Sequence, residues 1–284
     1  MSLSRRLRDY VFWGFCLLAL ALIVSPALSV LISVFHQAAP KLSLSLLTTP
    51  TRGDHGGLQN AILGTLMLLL GVLAVAGTVG VAAGIYLAEF SSARVGSVLR
   101  FFSEILAGMP SIVIGYVGYL SLVVGFHWQY SLLAGILALS VLVLPYIVKT
   151  TEVALSSVPS ALREASAALG LSRVSSVGRI LLPTATPGIV SGLIVALAIS
   201  TGETAPLLFT AGFLDAKNPS FALTHHAVPY LTAVTFNDVS LPGAGPHALA
   251  AAAGAVTLII LIILIIAGRV VSSRARRKTS GMAL

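Results

Sequence analysis

Glu203 stands between Gly202 and Pro206 in an otherwise apolar stretch covering residues 188–214. If that stretch enters a bilayer as a helix near residue 188, the carboxyl lies roughly 22 Å along it, at about 1.5 Å per residue. A lone carboxylate at such depth is costly and must face a partner or a wet pathway. The glycine and proline on either side predict a local break that frees backbone groups there. Ser200, Thr201 and Thr204 surround the carboxyl, and Ser111 follows Pro110 in a second apolar stretch. Hydroxyls in such places suit an anion crossing lipid, which needs donors in exchange for its water. Two readings of Glu203 fit: a pathway or gate group, and a protonated carboxyl bonded to a neighbouring helix. Each hydroxyl likewise has a second reading, bonded back to its own helix in a packed interface.

The second informative constellation lies in a polar segment, 151–187, that contains Glu164, Ala165, Ser166, Gly170, Leu182 and Pro183. Pro159 and Ser160 start a helix, and Gly170 is a natural residue just past its end. Ser172 caps a second short helix that runs to Leu182, where Pro183 prevents continuation. This helix–turn–helix fits an amphipathic hairpin at a membrane surface, and equally a rigid docking element for a partner protein. Other chemistry is excluded by what the chain lacks: a Walker A run, a His-Glu-x-x-His helix, and a Ser–His pairing within one span. The adjacent His225 and His226 have no carboxylate or cysteine at ligand spacing, so no metal site is expected. Cys16 has no intrachain partner.

The elements that must position these residues are membrane helices. Only 9% of the 284 residues are charged and 57% are hydrophobic, against about a quarter charged in soluble domains. Six segments, 10–35, 61–90, 98–126, 131–151, 188–214 and 248–271, can each cross about 30 Å of hydrocarbon. The first is too long for the apolar core of a cleaved signal and should stay as a helix. With both termini cytoplasmic, 14 of the 17 lysines and arginines fall inside, from Arg5, Arg6 and Arg8 to the cluster Arg274, Arg276, Arg277 and Lys278. Lys41, Arg52 and Lys217 remain outside, as the positive-inside rule requires. The terminal cluster reads as an anchor to anionic headgroups. The net charge of +8 thus follows topology, and no basic stripe interleaved with aromatics points to nucleic acid. Two longer outer loops are expected at 36–60 and 215–247. The organisation is a first helix and outer loop (1–60), a core (61–272) with the segment 151–187 on its inner face, and a basic tail (273–284).

Glu164-Ala165-Ser166, Gly170, Ile180 and Leu182-Pro183 resemble, at the same spacing, the EAA signature of ABC-importer permeases, with Ser166 in place of the second alanine. Gly202-Glu203-Thr204-Ala205-Pro206-Leu207-Leu208 is very similar to the matching segment of phosphate-importer permeases of the PstA type. The companion PstC-type permease usually lacks the Ala-Pro-Leu-Leu continuation. Gly84-Ile85-Tyr86-Leu87-Ala88-Glu89 and the segment from Gly108-Met109-Pro110-Ser111 to Gly115 agree as well. The resemblance implies an all-α type I ABC-importer permease fold, with 151–187 inserting into an ATPase subunit. It implies alternating access beside a PstC-like permease, two PstB-like ATPases and a PstS-like external phosphate-binding protein. No cofactor is expected on this chain, ATP and Mg belonging to the ATPase. One position departs: the family commonly has an arginine four residues before the glutamate, where this chain has Ile199. Any compensating charge must come from elsewhere, the companion permease being the candidate. A molybdate or sulfate importer shares this architecture. An ion-coupled secondary transporter would need inverted repeats, which are not evident, and would leave the EAA spacing unexplained.

Overall fold

The computed structural model describes residues 3–52, 55–213 and 218–280. Gly53, Asp54, Asp215 and Lys217 lie outside the described residues, as do the side chains of Arg5, Arg6 and the terminal cluster from Arg274 to Lys278. The chain begins with α1 (Leu3–Ala38), which carries Pro26 without breaking. Over its most apolar window α1 buries nothing against the rest of the chain. A bare apolar helix of this kind is solvated by lipid. The segment 36–60 is more ordered than the loop expected there. It holds α2 (Leu44–Thr48) and a small antiparallel ladder, β1 (Thr51–Arg52) with β2 (His55–Gly56), in which Thr51 faces Gly56. The Thr51 N–H donates to Asn60 Oδ1 at 3.0 Å, tying the ladder to the next helix.

The second span is one helix, Gln59–Glu89, built from α3 (Gln59–Val72), a π turn at Leu73–Gly77 and α4 (Thr78–Glu89). The third differs from the single helix expected over 98–126. It is a pair, α5 (Ala93–Gly108) and α6 (Ser111–Gly118), the latter continued by a π turn to Gly125, and the two halves meet at 98°. Pro110 is the reason. It supplies no N–H to the helix and forces the preceding Met109 into extended backbone, at φ −73° and ψ 134°.

Next comes α7 (Leu132–Ser156), capped by the Ser131 hydroxyl, which accepts from the Ala134 N–H, and tolerant of Pro145. Then α8 (Ser160–Ala168) leads by a tight turn into α9 (Arg173–Ser176). Pro183 does not stop this second helix. A π turn at Val177–Leu181 passes directly into α10 (Leu182–Gly202), giving one helix over Arg173–Gly202 in place of a short helix plus a span from residue 188. The wider π turn accommodates the proline ring and leaves no i−4 bond for the missing N–H to break. Beyond it, the hydroxyls of Thr184 and Thr186 donate to the carbonyls of Ile180 and Leu182.

After a break come α11 (Ala205–Thr210), α12 (Leu231–Val239) and α13 (Ala244–Ser280). The described part of the segment 215–247 thus includes a short helix, and the last span starts earlier than residue 248, with Pro246 in its first turn, where a missing N–H costs nothing. Among the described residues, five helices are long and apolar enough to cross a membrane, or six with the bent pair counted as one span. The main core joins Leu68 and Val72 of α3 to Ile136, Leu139 and Val143 of α7, with Leu207 of α11 and Tyr230. A second cluster seats Leu231 and Val234 of α12 on Leu249 and Val256 of α13. A third joins Leu155 of α7 and Val158 to Val177 and Leu181 of the π turn and Ile189 of α10, the segments on either side of the hairpin.

Candidate functional site

The break in α10 falls where the sequence places it. The helix ends at Gly202, Glu203 is extended at φ −75° and ψ 131°, and α11 restarts at Ala205 with Pro206 in its first turn. Opposite stands the break at Pro110, and the two are in contact. The Ser111 side chain faces the Glu203 carboxyl. Just beyond, a Cβ added to Gly115 would sit 2.6 Å from Pro206 Cα, so α6 and α11 approach backbone to backbone. Two motifs that are remote in sequence thus form one joint between broken helices. The Glu203 carbonyl is held from a third side, accepting from Thr232 Oγ1 at 3.0 Å.

The remaining site residues separate by what they face. Ser200 and Thr201 are buried and their hydroxyls donate to Ala196 and Leu197 carbonyls, at 3.0 and 2.8 Å. Gly202 and Pro110 are exposed. Around Glu203, Ser200, Thr201, Thr65, Thr232 and Tyr230 line a small internal cavity of about 10 Å³, room for about one water. Two larger clefts lie elsewhere in the chain. One of about 450 Å³ has Gly202, Thr204, Thr232, Thr235 and Thr257 in its wall. Another of about 560 Å³ lies between α7 and α10, beside Lys149, Thr150, Ser157, Ser191 and Gly192. Gly188, Gly192 and Val195 line the second of these clefts and Gly202 the first. Ile199, where the resemblance calls for arginine, packs instead against the main core.

The hairpin is the second half of the site. Gly170 is in the left-handed region at φ 72°. Its N–H donates to Ala167 O at 2.9 Å and the Leu171 N–H to Ser166 O at 3.1 Å, the bond pair of a Schellman cap. The Ser172 hydroxyl caps α9 by accepting from the Ser175 N–H. Ser166 does more than fill space. Its hydroxyl lies 2.7 Å from the Ser176 hydroxyl and binds the Arg163 carbonyl, locking α8 to α9. Glu164, Ala165, Leu169 and Val174 point outward, the last two 78% and 70% exposed, while Leu182 and Pro183 belong to α10.

An ion pair that sequence reasoning missed anchors this hairpin. Arg163 Nη1 donates to both carboxylate oxygens of Glu89 at 2.7 Å, and Nη2 to the Leu155 carbonyl at 2.8 Å. Glu89 is 4% exposed. The arginine therefore bridges the hairpin to the ends of α4 and α7, while a second pair, Arg100 with Glu152 at 2.7 Å, joins α5 to α7. Seventy-four residues separate Arg163 from Glu89, so no local pattern marks them as partners; the available signal was a glutamate closing the Gly84-to-Glu89 motif.

A family profile described as "binding-protein-dependent transport system inner membrane component" matches residues 80–277, from the second span through the hairpin, the joint and the last helix. The chain belongs to this family. It is a multi-pass membrane translocation component rather than an enzyme, and an ABC importer of this kind works with an ATPase and a binding protein. The phosphate transport system permease protein PstA 2 of Mycobacterium bovis is 45% identical over 278 residues, covering 98% of this chain and 92% of that one. PstA of Haemophilus influenzae is 40% identical over 185 residues, 64% of this chain and 65% of its own length. Among solved structures, a bacterial alginate ABC transporter in complex with a periplasmic protein matches with TM-score 0.66 at 15% identity, over 95% of this chain and 96% of that chain. An inward-facing MetNI methionine ABC transporter matches with TM-score 0.59 at 18% identity, over 77% of this chain and 94% of that chain. The fold is the type I importer permease fold expected from the EAA spacing.

Proposed function

We propose that this chain is the membrane subunit of an ATP-driven importer of inorganic phosphate and forms half of its pathway by alternating access. The observation that carries the proposal is the joint at Glu203. The segment most specific to phosphate-importer permeases folds into a break that meets the break at Pro110, beside a cleft with Thr204, Thr232, Thr235 and Thr257 in its wall. Near full-length similarity to a relative named for phosphate transport supports the cargo.

In this reading Glu203, Ser111, Pro110, Gly202 and Thr204 form the gate of the pathway, with Ser200 and Thr201 behind it. The hydroxyls and freed backbone groups stand in for water around the anion. Glu203 repels a dianion when the gate is shut, and Ser111 holds the carboxylate aside. A companion permease of the PstC kind packs beside α10 and supplies the positive charge that Ile199 does not. On the inner face, Glu164 and Ala165 dock with exposed Leu169 and Val174 into one of two PstB-like ATPases, which carry ATP and Mg. Both termini lie in the cytoplasm, and a PstS-like protein delivers phosphate to the segments around α2 and α12. Residues 61–272 are the moving core.

The test is radiolabelled phosphate uptake at low external concentration in cells with and without this subunit, with sulfate and molybdate as competitors. Loss of uptake on deletion, with competition by phosphate alone, is the expected result. Competition by molybdate or sulfate instead would assign a different oxyanion. Unchanged uptake in cells lacking any redundant system would remove the phosphate assignment and leave the permease architecture in place.

A further inference from the structure

Tyr230 is 1% exposed, and its hydroxyl is buried without a hydrogen-bond partner among the described residues. A buried hydroxyl left so is destabilising, and proteins seldom retain one without use. Phenylalanine would fill the same space at no such cost. The position is equally telling. Tyr230 precedes α12 in extended backbone, at φ −152° and ψ 154°, and the residue borders the small cavity beside Glu203 with Thr65, Ser200, Thr201 and Thr232.

The hydroxyls sharing that cavity have already spent their protons. Ser200 donates to Ala196 O, Thr201 to Leu197 O, Thr65 to Ala61 O and Thr232 to Glu203 O. Each keeps lone pairs, which an anion cannot use. Among the described residues lining the cavity, the tyrosyl hydroxyl is the one whose proton is uncommitted, and an anion in transit needs donors. A phenol is a suitable donor here, because it adds no charge beside the carboxylate.

We propose that Tyr230 is an anion-binding residue of the pathway, its hydroxyl donating to phosphate as the cavity at the Glu203 break opens. The proposal rests on the phosphate-importer reading and adds a residue to it. It also gives α12 a role. The Leu231 N–H is fixed to Thr65 Oγ1 at 3.0 Å, so the tyrosine is held against α3 while α10 and α11 shift beside it.

The experiment compares wild type and Tyr230→Phe in the complete importer reconstituted in vesicles with its binding protein. It measures phosphate turnover per assembled complex and ATP hydrolysis stimulated by the binding protein. The expected result is a fall in turnover of about tenfold to a hundredfold, the worth of one hydrogen bond to a charged group, with assembly and stimulated hydrolysis retained. Turnover equal to wild type would overturn the proposal and leave the tyrosine as core. Loss of assembly would also overturn it, because a nearly isosteric change can destabilise only through a structural partner of the hydroxyl. If the wild-type complex itself moves no phosphate, the functional reading fails and the proposal falls with it; an unchanged variant in an active complex sinks the Tyr230 assignment alone.

Discussion

Replacing Glu89 with glutamine isolates the link between the hairpin and the membrane helices. The change keeps the side chain's shape and removes the charge that receives two 2.7 Å bonds from Arg163. Removing one partner of a buried pair costs about 3–5 kcal/mol. The Arg163 side chain is 33% exposed against 5% for Glu89, so water relieves part of the cost and the lower end applies, about 3 kcal/mol. Expressed as an equilibrium between a seated and a loosened hairpin, that is about a hundredfold. The hairpin's own cap and its Ser166–Ser176 bond do not involve Glu89. It should therefore still dock to the ATPase while transmitting its movement poorly. Phosphate transported per ATP hydrolysed, measured in reconstituted vesicles, should fall steeply in Glu89→Gln while hydrolysis continues. The double variant Glu89→Gln with Arg163→Met leaves no stranded charge and should recover part of the loss. An unchanged transport ratio in the single variant, or strictly additive losses in the double, would refute the reasoning.

Three further outcomes follow from the geometry. Glu164→Lys reverses a charge on the exposed face of α8 and should abolish uptake with membrane insertion intact, checked by immunoblot of the membrane fraction beside an uptake assay. Glu203→Gln keeps the side chain's shape but loses the charge, and should alter or abolish uptake while the complex still copurifies; wild-type uptake would favour a purely structural carboxyl. Gly115→Val pushes a side chain into Pro206, whose Cα lies 2.6 Å from the added Cβ position. At about 1–3 kcal/mol for overpacking, it should lower the melting temperature of the purified complex and slow transport together.

Much of this was legible because its signals are local. The apolar runs fix the spans, Gly202 and Pro206 mark the break at Glu203, and the spacing from Pro159 to Gly170 gives α8 with its cap. Prolines were harder to read. Pro110 bends its helix by 98° and Pro183 does not stop its own. The difference lies in the turn before each: extended backbone at Met109, a π turn at Val177–Leu181. A π turn leaves no residue-type signature. The Arg163–Glu89 clasp and the cavity around Tyr230 join residues far apart in the chain, and only tertiary packing brings them together. Ser166 stands where the EAA signature has alanine, and its bond to Ser176 depends on the angle of a turn that composition does not encode.

The hydroxyls bonded back to their own helices bear on how such a chain enters a bilayer. Thr78, Ser121, Thr150, Thr184, Ser191 and Thr257 each donate to the carbonyl four residues earlier. A hydroxyl satisfied within its own turn needs no neighbour and crosses hydrocarbon at little cost. These helices can therefore leave the insertion machinery one at a time, as the ribosome supplies them, with no subunit waiting to receive them. The groups that cannot travel alone are Glu89 and Glu203. Glu89 meets Arg163 only once the fourth span and the hairpin have been made, and Glu203 faces Ser111, which is already in place. The order of synthesis thus brings Glu89 together with its partner inside a single chain, before the importer is assembled.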